Sequence, residues 1–146
     1  AISVNKEVSY LYKVNPIYFK NYGDHIPGIT SFDKNHLLTH GVKKNHIIKE
    51  NVQSTSIGDL IVKHNVKQLD LLFVDAEGYD GKIVYDFLSS EKIEPIIVLE
   101  YIHIKNEIFK LLINKLEEKK YVFFSIDENM ICFPEEKKNL LNFIKK

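Results

Sequence analysis

The stretch LDLLFVDAEGYD, residues 69–80, decides the fold class that this sequence predicts. Its part from Leu69 to Asp75 is almost continuously apolar and ends in an acid, which is typical of a parallel strand buried on both faces. Gly78 and Gly81 indicate a turn after that strand. The apolar face of a following helix is then given by Ile83, Val84, Phe87 and Leu88.

A second strand–helix unit follows the first. PIIVLEYI (95–102) predicts another buried strand, and apolar positions from Ile108 to Leu116 predict another helix. Residues 121–126 predict a third strand, with 130–133 returning antiparallel to it. A final amphipathic helix is expected over 134–146. The alternation predicts an α/β fold with flanking helices, a mostly parallel sheet and a C-terminal antiparallel hairpin.

The N-terminal part carries weaker signals. Alternating apolar and polar residues over 7–15 predict a strand, whereas the Pro- and Gly-punctuated segment 16–50 is expected to be mostly loop, with a short helix around 34–40. Ser56, followed three residues later by Asp59, is typical of a capped helix start.

Composition excludes several classes of protein. The 146 residues carry 20 basic and 20 acidic side chains, so no net field attracts nucleic acid or an anionic membrane. All basic residues are lysines, which lack the planar fork that binds phosphate bidentately. Cys132, the sole cysteine, leaves neither an intrachain disulfide nor a thiolate zinc cluster. The sequence contains no apolar run of the roughly 18–20 residues that cross a bilayer and no signal peptide, which favours the cytoplasm.

Acidic residues follow both predicted buried strands. Because ligands of open α/β sheets bind beyond the carboxyl ends of the strands, residues 75–80 and 100–103 are expected to meet at one edge. They carry Asp75, Glu77, Glu100 and His103 as candidate catalytic residues. An acid at a strand end can instead cap the next helix, and Gly78 can serve turn geometry alone.

Three segments resemble the FkbM family of S-adenosylmethionine-dependent methyltransferases. They are STSIGDL (54–60), LDLLFVDAEGYD (69–80) and IIVLE (96–100). The residues that match the family's pattern are Asp59, Asp75, Glu77, Gly78 and Glu100. In addition, Ala1-Ile2-Ser3 resembles the stretch beside the family's adenine pocket, and Ser31-Phe32 resembles a small polar pair in its linking loop.

This resemblance implies a partial Rossmann-like methyltransferase fold and S-adenosylmethionine as the cofactor. It implies methyl transfer to a hydroxyl of a sugar or small molecule, with Asp75, Glu77, Glu100 and His103 as catalytic residues and no metal. Ala1, Ile2 and Asp75 are the implied cofactor-binding residues.

The family's glycine-rich cofactor loop has no counterpart among these residues. No G-x-G-x-x-G occurs in the sequence, and the missing elements would precede Ala1, which is not a methionine. We therefore expect residues 1–146 to be a single, N-terminally truncated domain. A sheet that lacks its N-terminal strands would expose an edge through which a homodimer could form.

Three other interpretations remain open at this stage. Phe73 to Glu77 also resembles the strand end of cation-dependent catechol-type O-methyltransferases, in which an aspartate binds magnesium. The chain could instead be a non-catalytic remnant or binding module whose acids only cap helices. A zinc site is the third possibility, since His36 and His40 are four residues apart and His46 follows.

The missing glycine-rich loop leads to a prediction about cofactor affinity. Calorimetric titration of S-adenosylmethionine into this 146-residue chain should give weak binding or none, because backbone amides of such a loop normally hold the cofactor. A low-micromolar dissociation constant would refute this expectation.

Overall fold

The computed structural model describes residues 1–3 and 9–140, which form a mixed α/β structure. The chain divides into two compact units, Ala1 with Ser3–Thr55 and Ile2 with Ser56–Lys146. Each unit has its own hydrophobic cluster. The expectation of one truncated domain stays a prediction.

The first unit contains a three-stranded antiparallel sheet. Its elements are β1 (Ser9–Val14), β2 (Thr30–Ser31), α1 (Lys34–Thr39) and β3 (Ile47–Val52), with 3-10 turns at Pro16–Asn21, Ile26–Gly28 and Lys44–His46. The strand order is β2–β1–β3. The cluster beneath it is formed by Val14, Ile26, Ile29, Leu37 and Val42.

The prediction that 16–50 is mostly loop missed two strands, β2 and the start of β3. β3 pairs with β1 along its whole length, from Ile47 opposite Val14 to Val52 opposite Ser9. Its sequence IIKENV lacks an alternating apolar pattern because backbone pairing to β1, rather than burial of one face, holds the strand. The helix predicted around 34–40 is confirmed by α1. The strand predicted over 7–15 is confirmed from Ser9 to Val14, and residues 7 and 8 lie outside the described residues.

The second unit contains a four-stranded mixed sheet with helices. Its elements are α2 (Ile57–Lys63), β4 (Leu71–Val74), α3 (Asp80–Ser90), β5 (Ile96–Glu100), α4 (Asn106–Glu118), β6 (Tyr121–Ile126) and β7 (Asn129–Pro134), followed by a 3-10 helix (Glu135–Leu140). The strand order is β4–β5–β7–β6. β4 and β5 are parallel, whereas β7 is antiparallel to both β5 and β6.

This topology corrects part of the predicted fold class. The antiparallel hairpin is confirmed, but the described sheet is not mostly parallel, because β7 turns back between β5 and β6. The part of the final helix that is described is a 3-10 helix, and 141–146 lie outside the described residues. None of the helices in the described ranges is long and apolar enough to cross a bilayer.

The expectation that the strand ending at Asp75 is buried on both faces is wrong. Leu71 is 52% exposed and Phe73 63% exposed, whereas Val74 is buried. Among the described strands β4 pairs only with β5, so it lies at an edge. Its buried side clusters with residues of α3 and α4, including Val84, Phe87, Leu112 and Leu116. The homodimer expected through a sheet edge stays a prediction.

The first turn of α2 has the predicted cap. The Ser56 hydroxyl accepts the backbone N–H of Asp59 at 3.0 Å and donates to the Asp59 carboxylate at 2.8 Å. The first contact satisfies a backbone N–H that a helix N-terminus otherwise leaves without an intrahelical partner, and the second links the two side chains.

Replacing the capping hydroxyl should therefore destabilise the chain. Ser56→Ala is expected to lower the free energy of unfolding by about 1 kcal/mol, measured by urea denaturation. The control is Ser89→Ala on α3, where the exposed hydroxyl donates only to the Tyr85 carbonyl and the expected loss is within about 0.5 kcal/mol. Equal effects of both substitutions would contradict the capping role.

Candidate active site

The ends of β4 and β5 bring two of the predicted residues together. The parallel register runs from Leu71 opposite Ile96 to Val74 opposite Leu99. Asp75 follows Val74 and Glu100 follows Leu99. The two acids therefore lie at the same edge of the sheet, the one formed by the carboxyl ends of β4 and β5. Their juxtaposition agrees with the sequence-based expectation, and their catalytic roles stay predictions.

The loop after β4 is fixed by an acid to which the sequence interpretation gave no role. Asp80, in the first turn of α3, is completely buried. One carboxylate oxygen accepts the N–H of Ala76 at 3.1 Å, and the other accepts the N–H of Gly78 at 3.1 Å. The sequence placed this residue in the 75–80 stretch expected at the edge, and an acid at a helix start suits the helix dipole, but neither signal reveals the backward contacts.

Between these two hydrogen bonds the backbone adopts an unfavourable conformation. Glu77 has a φ of +50° and Gly78 a φ of +87°. The left-handed region costs a residue such as Glu77 about 1–2 kcal/mol. The hydrogen bonds that the Asp80 carboxylate accepts from Ala76 and Gly78 offset that cost. The turn is therefore held by Asp80 rather than by the preference of its own residues.

Gly78 also sets the contact with the loop after β5. A Cβ atom at this position would lie 3.0 Å from the backbone oxygen of His103 and 3.4 Å from its Cβ. Only glycine permits this approach together with the positive φ. The second loop, and with it the fourth predicted residue, His103, is thereby placed directly beside the first.

Gly81 has a different role from the one the sequence indicated. It lies inside α3, where it is buried, and not in the turn. A Cβ here would lie 2.9 Å from Cγ2 of Ile104 and 3.1 Å from Cγ2 of Ile108. The missing side chain allows α3 to pack closely against the start of α4.

The acids at this edge influence one another's protonation. Burial raises the pKa of Glu100, the nearby charges of Asp80, Glu77 and Asp75 raise it further, and His103 acts in the opposite direction. Burial also raises the pKa of Asp80, against the lowering effect of its backbone hydrogen bonds. The edge therefore contains carboxylates that bind protons more readily than ordinary ones.

Ala1 and Ile2, which the resemblance implies to bind the cofactor, make contacts within the fold. The Ala1 ammonium donates to the Gln53 carbonyl at 2.9 Å. Ile2 packs against the hydrophobic cluster of the second unit. Binding roles for Ala1, Ile2 and Asp75 stay predictions.

The histidines of the zinc hypothesis make other contacts. His46 is buried, with Nδ1 2.7 Å from the Tyr22 hydroxyl and its ring stacked on Tyr18 at 3.7 Å. His40 Nδ1 lies 2.8 Å from the His36 carbonyl oxygen. Within residues 1–3 and 9–140, no group of three or more His, Cys, Asp or Glu is placed to hold a metal ion.

The one thiol of the chain is unsuited to nucleophilic chemistry. Cys132 is completely buried in β7. Burial raises its pKa to about 12, so it remains protonated at neutral pH. Cys132 therefore adds no nucleophile to the carboxylates and the imidazole of the sheet edge.

Comparison with known proteins identifies the class. Residues 5–123 match a family model described as the methyltransferase FkbM domain, a span that includes β4, β5 and both loops that follow them. The chain is thus a methyltransferase-type domain. It belongs to the FkbM family, as the sequence resemblance implied. No curated protein and no solved structure matches the chain.

The raised pKa of Glu100 leads to a prediction about stability. A raised pKa means that the folded state binds the proton more tightly than the unfolded state, so stability is greatest below the ordinary value of 4.5 and is lost as pH rises through the raised pKa. Glu100→Gln cannot ionise and therefore does not lose stability as the pH rises. The variant should melt at a higher temperature than the parent chain at neutral pH, and the difference should shrink as pH falls below 4.5.

Glu118→Gln serves as the control of opposite sign. A hydrogen bond from Lys115 lowers the pKa of Glu118, so that carboxylate contributes stability above its ordinary pKa. This substitution should leave the melting temperature at neutral pH unchanged or slightly reduced, because the pair is exposed. A Glu100→Gln chain that melts no higher than the parent at neutral pH would contradict the electrostatic description of the edge.

Proposed function

We propose that this chain acts in S-adenosylmethionine-dependent transfer of a methyl group to a hydroxyl of a sugar or small molecule. The observation that carries the proposal is the placement of Asp75 and Glu100 at one edge of the sheet, with their two loops in contact at Gly78 and His103. This edge lies beyond the carboxyl ends of β4 and β5, the position where ligands of open α/β sheets bind.

S-adenosylmethionine supplies a methyl group on a positively charged sulfonium when it is bound. The edge residues fit that charge, because Asp75, Glu77 and Glu100 bring carboxylates to one edge, where the charges of Asp75 and Glu77 help to raise the pKa of Glu100. A cation held nearby is stabilised electrostatically by such a set. Asp75 is the residue that would hold the cofactor at this edge, and the cofactor-binding roles of Ala1 and Ile2 rest on the sequence resemblance alone.

The carboxylates and the imidazole would orient the acceptor and remove its proton. Asp75 and Glu77 would accept hydrogen bonds from its hydroxyl groups and so orient the reacting oxygen. Glu100 would take the proton that this hydroxyl releases. Its raised pKa makes it a better proton acceptor than an ordinary glutamate. His103 is exposed and lies beside it, where an imidazole can pass the proton to water.

The proposal is tested by methyl transfer to a panel of monosaccharides and polyols. S-adenosylmethionine is supplied at millimolar concentration so that weak binding does not limit the rate, and S-adenosylhomocysteine is quantified by mass spectrometry. Asp75→Asn should reduce turnover by about 100-fold or more, since the alignment of the reacting oxygen is lost. Its melting temperature should stay close to that of the parent chain.

Asp70→Asn is the matched control. Asp70 is an exposed acid just before the opposite end of the same strand, where its carboxylate accepts from Gln68. Full activity is expected of this variant. Turnover that survives Asp75→Asn would reject the role of the edge, and its absence in the parent chain across the panel would favour a non-catalytic binding module.

A further inference from the structure

The loop after β4, residues 75–79, is held by hydrogen bonds to the side chain of Asp80. Asp80 is completely buried although it carries a carboxylate. It is not the N-cap of α3, a position that Tyr79 occupies without a capping hydrogen bond from its side chain. Instead, its two oxygens reach back and accept the N–H groups of Ala76 and Gly78.

These two contacts bracket the residue of the loop with the least favourable backbone. Glu77 lies between the two anchored amides at a φ of +50°. A carboxylate accepts at both oxygens, whereas the isosteric amide of asparagine offers one acceptor and one donor. At position 80, in the first turn of α3, a carboxylate satisfies both N–H groups with one oxygen each, which the amide of asparagine cannot do.

The second anchored amide belongs to the residue that touches the other loop. Gly78 leaves no room for a Cβ against the backbone oxygen of His103, at 3.0 Å. A displacement of Gly78 is therefore transmitted to the loop that carries Glu100 and His103. The charge of Asp80 also acts on the pKa of Glu100, which places the two carboxylates within electrostatic reach.

We propose that Asp80 is a positioning residue, which fixes the Asp75–Tyr79 loop against the loop after β5 and so sets the spacing between the acids of the edge. The catalytic consequence rests on the proposed function, but the positioning itself does not. Asp80 acts through Ala76 and Gly78, and it needs no contact with an acceptor or cofactor.

The test uses amide hydrogen exchange and backbone chemical shifts of the ¹⁵N-labelled 146-residue chain. In Asp80→Asn the amides of Ala76 and Gly78 should together lose protection, at least one of them exchanging about ten-fold faster because a charged acceptor is gone. The amide resonance of His103 should shift as well, although Asp80 does not bond to it. Unchanged exchange at Ala76 and Gly78 would overturn the proposal.

Two controls separate positioning from a general loss of stability. Asp86→Asn removes an acid from the same helix and should leave Ala76, Gly78 and His103 unaffected. Leu88→Ala truncates a buried core residue of α3. It should destabilise the chain but leave the hydrogen bonds between Asp80 and the 75–79 loop in place. If Leu88→Ala accelerates exchange at Ala76 and Gly78 as much as Asp80→Asn does at matched stability, Asp80 has only a structural role.

Gly78→Ala approaches the same contact from the other side. The added Cβ meets the His103 backbone oxygen, so the resonances of the loop after β5 should move while the two hydrogen bonds to Asp80 are retained. Resonances around His103 that do not respond to this change would overturn the coupling of the loops. Neither measurement uses S-adenosylmethionine, so a chain that transfers no methyl group would contradict the proposed function and leave this result standing.

Discussion

The parallel pairing of β4 with β5 is the constraint on which the rest of the second unit depends. Because side chains alternate along a strand, the observed register turns Val74 and Leu99 toward the helices and brings the loops that follow to one edge. A slip of one residue would turn the buried residues of β4 to the open face. The contact between Gly78 and His103, and the grouping of the acids, exist only in this register.

The acidic edge is maintained at some cost to the fold. Burial opposes the ionised forms of both Asp80 and Glu100, and neighbouring carboxylates add to that effect. The compensation comes from backbone amides, which hold Asp80 but also fix Glu77 in the left-handed region. Buried carboxylates that lower the stability of the fold are expected at functional sites, where activity and stability compete.

The sequence predicted those elements that are determined by residues close together in the chain. The apolar runs before Asp75 and Glu100, the cap at Ser56 and the final hairpin are encoded by neighbouring residues, and each was found. β3 was missed because its IIKENV sequence is held by pairing to β1, a partner more than thirty residues away. The exposure of Phe73 and the backward hydrogen bonds of Asp80 likewise depend on which elements become neighbours, and sequence spacing does not encode that. The candidate acids were therefore accessible from sequence, whereas the residue that fixes their loop was not.

The complete burial of Cys132 has a practical consequence. It is the sole cysteine of the chain, it is completely buried, and its thiol stays protonated at neutral pH. A cysteine introduced on the surface would thus be the only one to react with a maleimide, without any need to remove the native residue. Fluorescent or spin-label reporters can be attached at single chosen sites in an otherwise unaltered background.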